Sequence, residues 1–210
     1  MINLYTYAPD RLNLNGDQGN LLIIQRHLEW AGLAFETVEL SDRSALKKAA
    51  KAAARSTKAF LLVGHGSMAA MRSLAEDREE LAACIDAFKT AGCPVLVVGS
   101  SFEALTRHGQ LAERVSRFQE ATVDAPSFGS ISTNSSMDAF GYINTQSDLP
   151  AILTNGSIVY TLLHGPVLAK SPDLLTEILK YLGVESEEGE RFERLRGIRQ
   201  LAIDTARSLD

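Results

Sequence analysis

The chain has 210 residues, of which 45% are hydrophobic and 22% charged, with 15 Gly and 6 Pro; that composition excludes collagen, a coiled coil, a disordered chain and a disulfide scaffold. A chain this long buries roughly 70% of its unfolded surface, so residues 1–210 are expected to form a single domain around one core. Lys and Arg total 21 against 26 Asp and Glu, a net charge of -5, which removes the sequence-independent electrostatic term of nucleic-acid binding, so nucleic acid is not an expected partner.

Short apolar runs recur at 2–7, 35–40, 59–63, 95–98 and 158–163, and helical periodicity fills most of the gaps, the alternation of α/β architecture. Leu21, Ile24, Leu28 and Ala31 fall on one helical face, and Gly32 is placed to stop that helix before the run from Phe35. A helix near 43–56, a strand ending at Gly64, a helix carrying Leu81, Ile85 and Phe88, and the strand from Val95 follow in turn. Strands that are continuously apolar rather than alternating are buried on both faces, which predicts a mostly parallel central sheet with helices on both sides. Residues 113–150 break the rhythm and read as antiparallel strands or loops. Ser171 and Pro172 then predict a capped helix start, and a last helix over 187–208 opens on Glu187, Glu188 and Glu190, with Arg207 near its end.

The two cysteines, Cys84 and Cys93, match no zinc spacing and read as reduced thiols, and four scattered histidines suggest no metal cluster. No run approaches the roughly 20 apolar residues of a membrane span, and Met1-Ile2-Asn3-Leu4 lacks a basic segment ahead of an apolar stretch. A cytoplasmic protein with no membrane span and no cofactor is the expectation.

Ligands of an open parallel sheet bind beyond the carboxyl ends of its strands, so the loops after the apolar runs are the places for chemistry. The first is NLNGDQGN at 13–20, where Gly16 and Gly19 allow tight backbone and Asp17 and Asn20 are suited to cap the next helix. The second is VGHGSM at 63–68, where the amides around Gly64 and Gly66 either face a developing oxyanion or simply turn the chain. The third, VLVVGSSFEAL at 95–105, has the strand, sharp turn and helix of a nucleophile elbow, with Gly99, Ser100 and Ser101 at the turn. The elbow amides at Ser100 and Ser101 also suit a small anion. His164, followed by Gly165 and Pro166, closes an apolar strand and reads either as a base or as a histidine held by local backbone.

Together these segments resemble the class I glutamine amidotransferases of the CobB/CobQ-like group, and within it the small amidotransferase subunits of lipid II isoglutaminyl synthases. The resemblance runs over nearly the whole chain. Pro9-Asp10, Leu12-Asn13-Leu14 and Gly16-Asp17-Gln18-Gly19-Asn20 stand in the order of that family's first motif, and Leu162-Leu163-His164-Gly165-Pro166 with Lys170-Ser171-Pro172 is similar to its YLHGP segment. The first-helix end at 26–32, with Trp30, is similar too. The resemblance implies a flavodoxin-like three-layer sandwich and a Mur-ligase-like, ATP-using partner in cell-wall precursor modification.

The departures fall on the chemistry. In the family the elbow reads Cys-Gly-Gly-Tyr-Gln, and its cysteine aligns with Gly99, the rest with Ser100-Ser101-Phe102-Glu103. The oxyanion loop GGGQD becomes Gly64-His65-Gly66-Ser67-Met68, and GFENH becomes Gly141-Tyr142-Ile143-Asn144-Thr145. Cys93, at the start of its strand, and Cys84, inside a helix, lie away from the elbow. The segment 118–142 contains no Arg or Lys to replace the family's substrate-binding arginine. The expectation is therefore a degenerate amidotransferase-like subunit without glutaminase activity, with His164 a relic base beside Gly99 and Asp17 part of the retained loop. The alternatives are an active amidotransferase, a Ser100-dependent hydrolase, and a small-anion module built on Gly64, Gly66, Ser100 and Ser101. The oligomeric state is left open.

Overall fold

The computed structural model describes residues 1–55, 58–106, 112, 116–129, 136–184 and 190–208. In chain order it runs β1 (Ile2–Tyr7), α1 (Gly19–Trp30), β2 (Phe35–Leu40), α2 (Arg43–Ala53), β3 (Ala59–Val63), α3 (Met68–Ser73), a 3-10 turn (Ala75–Asp77), α4 (Arg78–Thr90), β4 (Val95–Val98) and α5 (Ser100–Thr106). It continues with β5 (Ser116–Asp124), β6 (Ser136–Asn144), β7 (Ile152–Asn155), β8 (Ile158–Thr161), α6 (Val167–Lys170), α7 (Pro172–Leu182) and α8 (Glu190–Arg207).

Six strands form one sheet in the order β2-β1-β3-β4-β8-β7. All neighbours pair in parallel except β7, which runs antiparallel on the β8 edge. Every residue of β3 and β4 is buried, as their unbroken apolar runs require. β2, at the edge, is partly exposed along most of its length. One helix layer packs α2 against α4 and the other packs α1 against α6 and α7, so both faces are covered: a flavodoxin-like three-layer sandwich. The chain leaves β1 toward β2 and returns past β1 to β3, so the strand order reverses between β1 and β3, and loops meet there at the carboxyl edge.

Local signals act as their chemistry predicts at several ends. Gly32, at φ 67°, ends α1, while Leu21, Ile24 and Leu28 are buried under it; Ala31 is exposed. Asp42 caps α2 by accepting the Ala45 amide at 2.8 Å, and that helix stops at Ala53 rather than 56. Other ends differ from expectation. Ser171 precedes Pro172 but makes no cap hydrogen bond, because its backbone is turned by the preceding α6. β8 ends at Thr161, so His164 lies beyond the strand. Residues 113–150 do hold an antiparallel pair, β5 with β6. Glu187 and Glu188 lie outside the described residues, and the last helix is seen from Glu190. Among the described residues no helix is long and apolar enough to cross a membrane.

Candidate functional site

β3, β4 and β8 are adjacent, so the turns after them open side by side at the carboxyl edge. His65 stands two residues past Val63, Gly99 directly past Val98, and His164 three past Thr161. Two backbone bonds fix the last two: Gly99 N donates to Thr161 O at 2.7 Å, and His164 N donates to Tyr142 O at 2.7 Å. The His65 and His164 rings meet with centroids 4.2 Å apart and planes tilted by 52°. Both are buried.

Gly99 sits at φ 58°, a left-handed conformation natural to glycine. A Cβ at this position would lie 2.6 Å from His164 Cε1 and 2.6 Å from His65 Nδ1. The volume into which a nucleophile's side chain would leave the backbone is therefore filled by two imidazoles. His164 does stand beside Gly99, and His65, which sequence reasoning passed over except as part of a glycine loop, stands there too. Its signal was the one His164 also carries, a histidine against glycine just past an apolar strand.

The donors that acyl chemistry needs are engaged internally. In a nucleophile elbow the oxyanion is bound by the N–H of the residue after the nucleophile, with help from a second loop. Here Ser100 N donates to His65 Nδ1 at 3.0 Å, which makes Nδ1 an acceptor and leaves the proton of the neutral ring on Nε2. In the 64–66 loop, His65 N donates to Asp17 Oδ2 at 3.0 Å, and Gly66 N donates to Ser100 Oγ at 3.1 Å. The Ser100 hydroxyl in turn donates to Gly66 O at 2.9 Å. Ser101 Oγ donates to Gly64 O at 2.7 Å. Both serines are buried, and their hydroxyls tie the elbow to the glycine loop. A nucleophilic Ser100 would need its proton directed at a base; it is directed at a carbonyl. An anion at the start of α5 would compete with the imidazole for the Ser100 amide.

Asp17 and Asn20 hold the neighbouring loops rather than cap α1, whose N-cap position is Gln18 with no side-chain cap bond. Asp17 is fully buried. Besides the His65 amide it accepts Gly165 N on Oδ1 at 3.1 Å. Burial pushes its carboxyl up to about 6, and the amides of His65 and Gly165 pull in the other direction. Asn20 Nδ2 donates to Asp17 O at 2.9 Å and to Gly165 O at 3.1 Å, while Oδ1 accepts Leu168 N at 2.9 Å. A Cβ on Gly19 would come within 2.9 Å of the Pro166 Cβ. The two motifs that carry the resemblance, GDQGN and HGP, are thus packed on each other, with Asp17 as the carboxylate that joins the first, second and last loops of the edge.

Two positions at which the chain departs from the motifs it resembles also meet: Thr145 Oγ1 donates to the buried Glu103 Oε1 at 2.6 Å. Cys84 and Cys93 are both buried, and burial raises the Cys84 thiol to about 12, leaving it protonated and unreactive at neutral pH. Among the described residues no group of three or more His, Cys, Asp or Glu is arranged to hold a metal ion. No known protein family matches the sequence, and no curated protein is similar enough to match it.

Proposed function

We propose that this chain is a degenerate glutamine amidotransferase-like subunit that does not hydrolyse glutamine. It serves as a binding or regulatory partner of a Mur-ligase-like, ATP-dependent amidating subunit in cell-wall precursor modification. The observation that carries the loss of chemistry is the filling of the residue-99 site. Gly99 has no side chain to form a thioester, His65 and His164 take up the space one would need, and the Ser100, His65 and Gly66 amides are engaged within the protein. Support for the partner comes from the motif resemblance at 16–20 and 162–172, which is dense where loops pack and eroded where substrate would bind.

Ammonia release from glutamine by the purified chain, followed alongside intact-mass detection of adducts with a glutamine-mimicking electrophile, tests the first half. No release above buffer and no adduct are expected; release that saturates with glutamine refutes it. The second half is tested by affinity capture from the native cell, where an ATP-dependent ligase is expected among the recovered proteins. Capture that recovers none overturns the partnership and leaves the inert site unaffected.

A further inference from the structure

A cavity of about 220 Å³ lies among α3, α4 and α5. Helical spacing builds its walls. Met68, Met71 and Arg72 share one face of α3 at i, i+3 and i+4, and Ser101, Ala104 and Leu105 do the same on α5. Leu74, Arg78 and Leu81 line the third side, and Tyr7 and Leu12 close the floor. Gly99, His65 and His164 are not part of it, so a ligand here is independent of the amidotransferase-like reading.

The lining is apolar apart from four residues, and two of those are already satisfied. Tyr7 donates its hydroxyl to Asp77 Oδ2 at 3.0 Å, and Ser101 donates to Gly64 O at 2.7 Å. The other two are Arg72 and Arg78, neither of which has an ion-pair or hydrogen-bond partner among the described residues. No carboxylate lines the cavity. The nearby acids are turned to other cations: Arg43 binds Asp77 at 3.1 Å, and Glu80 lies 3.6 Å from Lys47. Arg78 also opens α4, where the helix macrodipole adds to its positive charge. A mostly apolar lining in which, among the described residues, Arg72 and Arg78 are the polar side chains without a partner is complementary to an apolar body that ends in an anion, since guanidinium pairs bidentately with carboxylate or phosphate. A dry cavity of roughly 150 Å³ takes a benzene ring, so this volume suits one ring with a short tether, or an acyl chain of similar bulk.

We infer that this cavity, between α3, α4 and α5, binds a small amphipathic monoanion, with an aromatic or short acyl body among Met71, Leu74 and Leu105 and its carboxylate on Arg72 and Arg78. Isothermal titration of the full chain with 3-phenylpropionate, its neutral amide and inorganic phosphate tests this. The acid is expected to bind with a Kd on the order of 1 mM, the amide about tenfold more weakly, and phosphate not measurably. Arg72→Ala combined with Arg78→Ala should weaken the acid by about tenfold without affecting the circular dichroism spectrum, because neither side chain has a hydrogen-bond or ion-pair partner among the described residues. Ala75→Trp, an exposed change at the mouth, should abolish binding. Equal binding of acid and amide, binding that survives Ala75→Trp, or no binding by the folded wild type at about 10 mM, a concentration well above the expected Kd, would each overturn the inference. So would tight binding of an acidic aromatic peptide with none of the free acid, which would make the occupant a partner's side chain.

Discussion

Asp17→Asn preserves the shape of the side chain that joins three loops and removes its charge. Two opposing effects act on that charge. Burial pushes the Asp17 carboxyl from 3.8 up to about 6, against the backbone amides of His65 and Gly165 that favour the ionised form. That rise corresponds to about 3 kcal/mol. Because the folded value lies above the unfolded one, the contribution of Asp17 to stability is complete below pH 3.8 and is lost as pH rises through about 6. Urea unfolding of wild type and variant, followed by circular dichroism between about pH 3.5 and 7.5, isolates this group, since subtracting the two curves cancels the other titrations. The wild-type advantage is expected to fall by about 3 kcal/mol across that window. The variant also turns one acceptor into a donor facing a buried N–H, which costs about 1–3 kcal/mol and displaces the difference curve without tilting it. A difference that stays flat, or that grows with pH, would mean that the amide bonds outweigh burial and would refute the reasoning.

Gly99→Cys is expected to yield no glutaminase and to lower stability by about 2–4 kcal/mol, combining the cost of a side chain at φ 58° with overpacking against His65 and His164. Ammonia assay and urea unfolding read the two effects; a variant as stable as wild type that turns over glutamine would contradict the filled-site geometry. Asn20→Ala removes three buried hydrogen bonds and should cost about 2–4 kcal/mol. A loss in thermal or urea unfolding that stays under about 1 kcal/mol would show that the 164–168 loop is held by packing alone.

The local elements, and the absence of a side chain at residue 99, were determined by the sequence alone. Continuous apolar runs place β3 and β4 at their observed bounds, because a strand covered on both faces must be apolar at every position, and the mixed runs of β1 and the edge strand β2 also fall at theirs. Gly32 ends α1 because few other residues enter the left-handed region cheaply. Gly99 announces that no side-chain nucleophile acts there, since nothing folds a side chain onto glycine. Tertiary structure decided what the remaining residues do. Asp17 is 48 residues from His65 and 148 from Gly165, and its local context, ahead of a helix, suggests a cap. Only the adjacency of β3, β4 and β8 and the reversal beside β1 bring those amides to its carboxylate. The same adjacency turns His65 from a loop residue into a filler of the residue-99 space and directs Ser100 to Gly66. Periodicity reports which face of an element is buried; it carries no record of which strands become neighbours, and the site is made where they do.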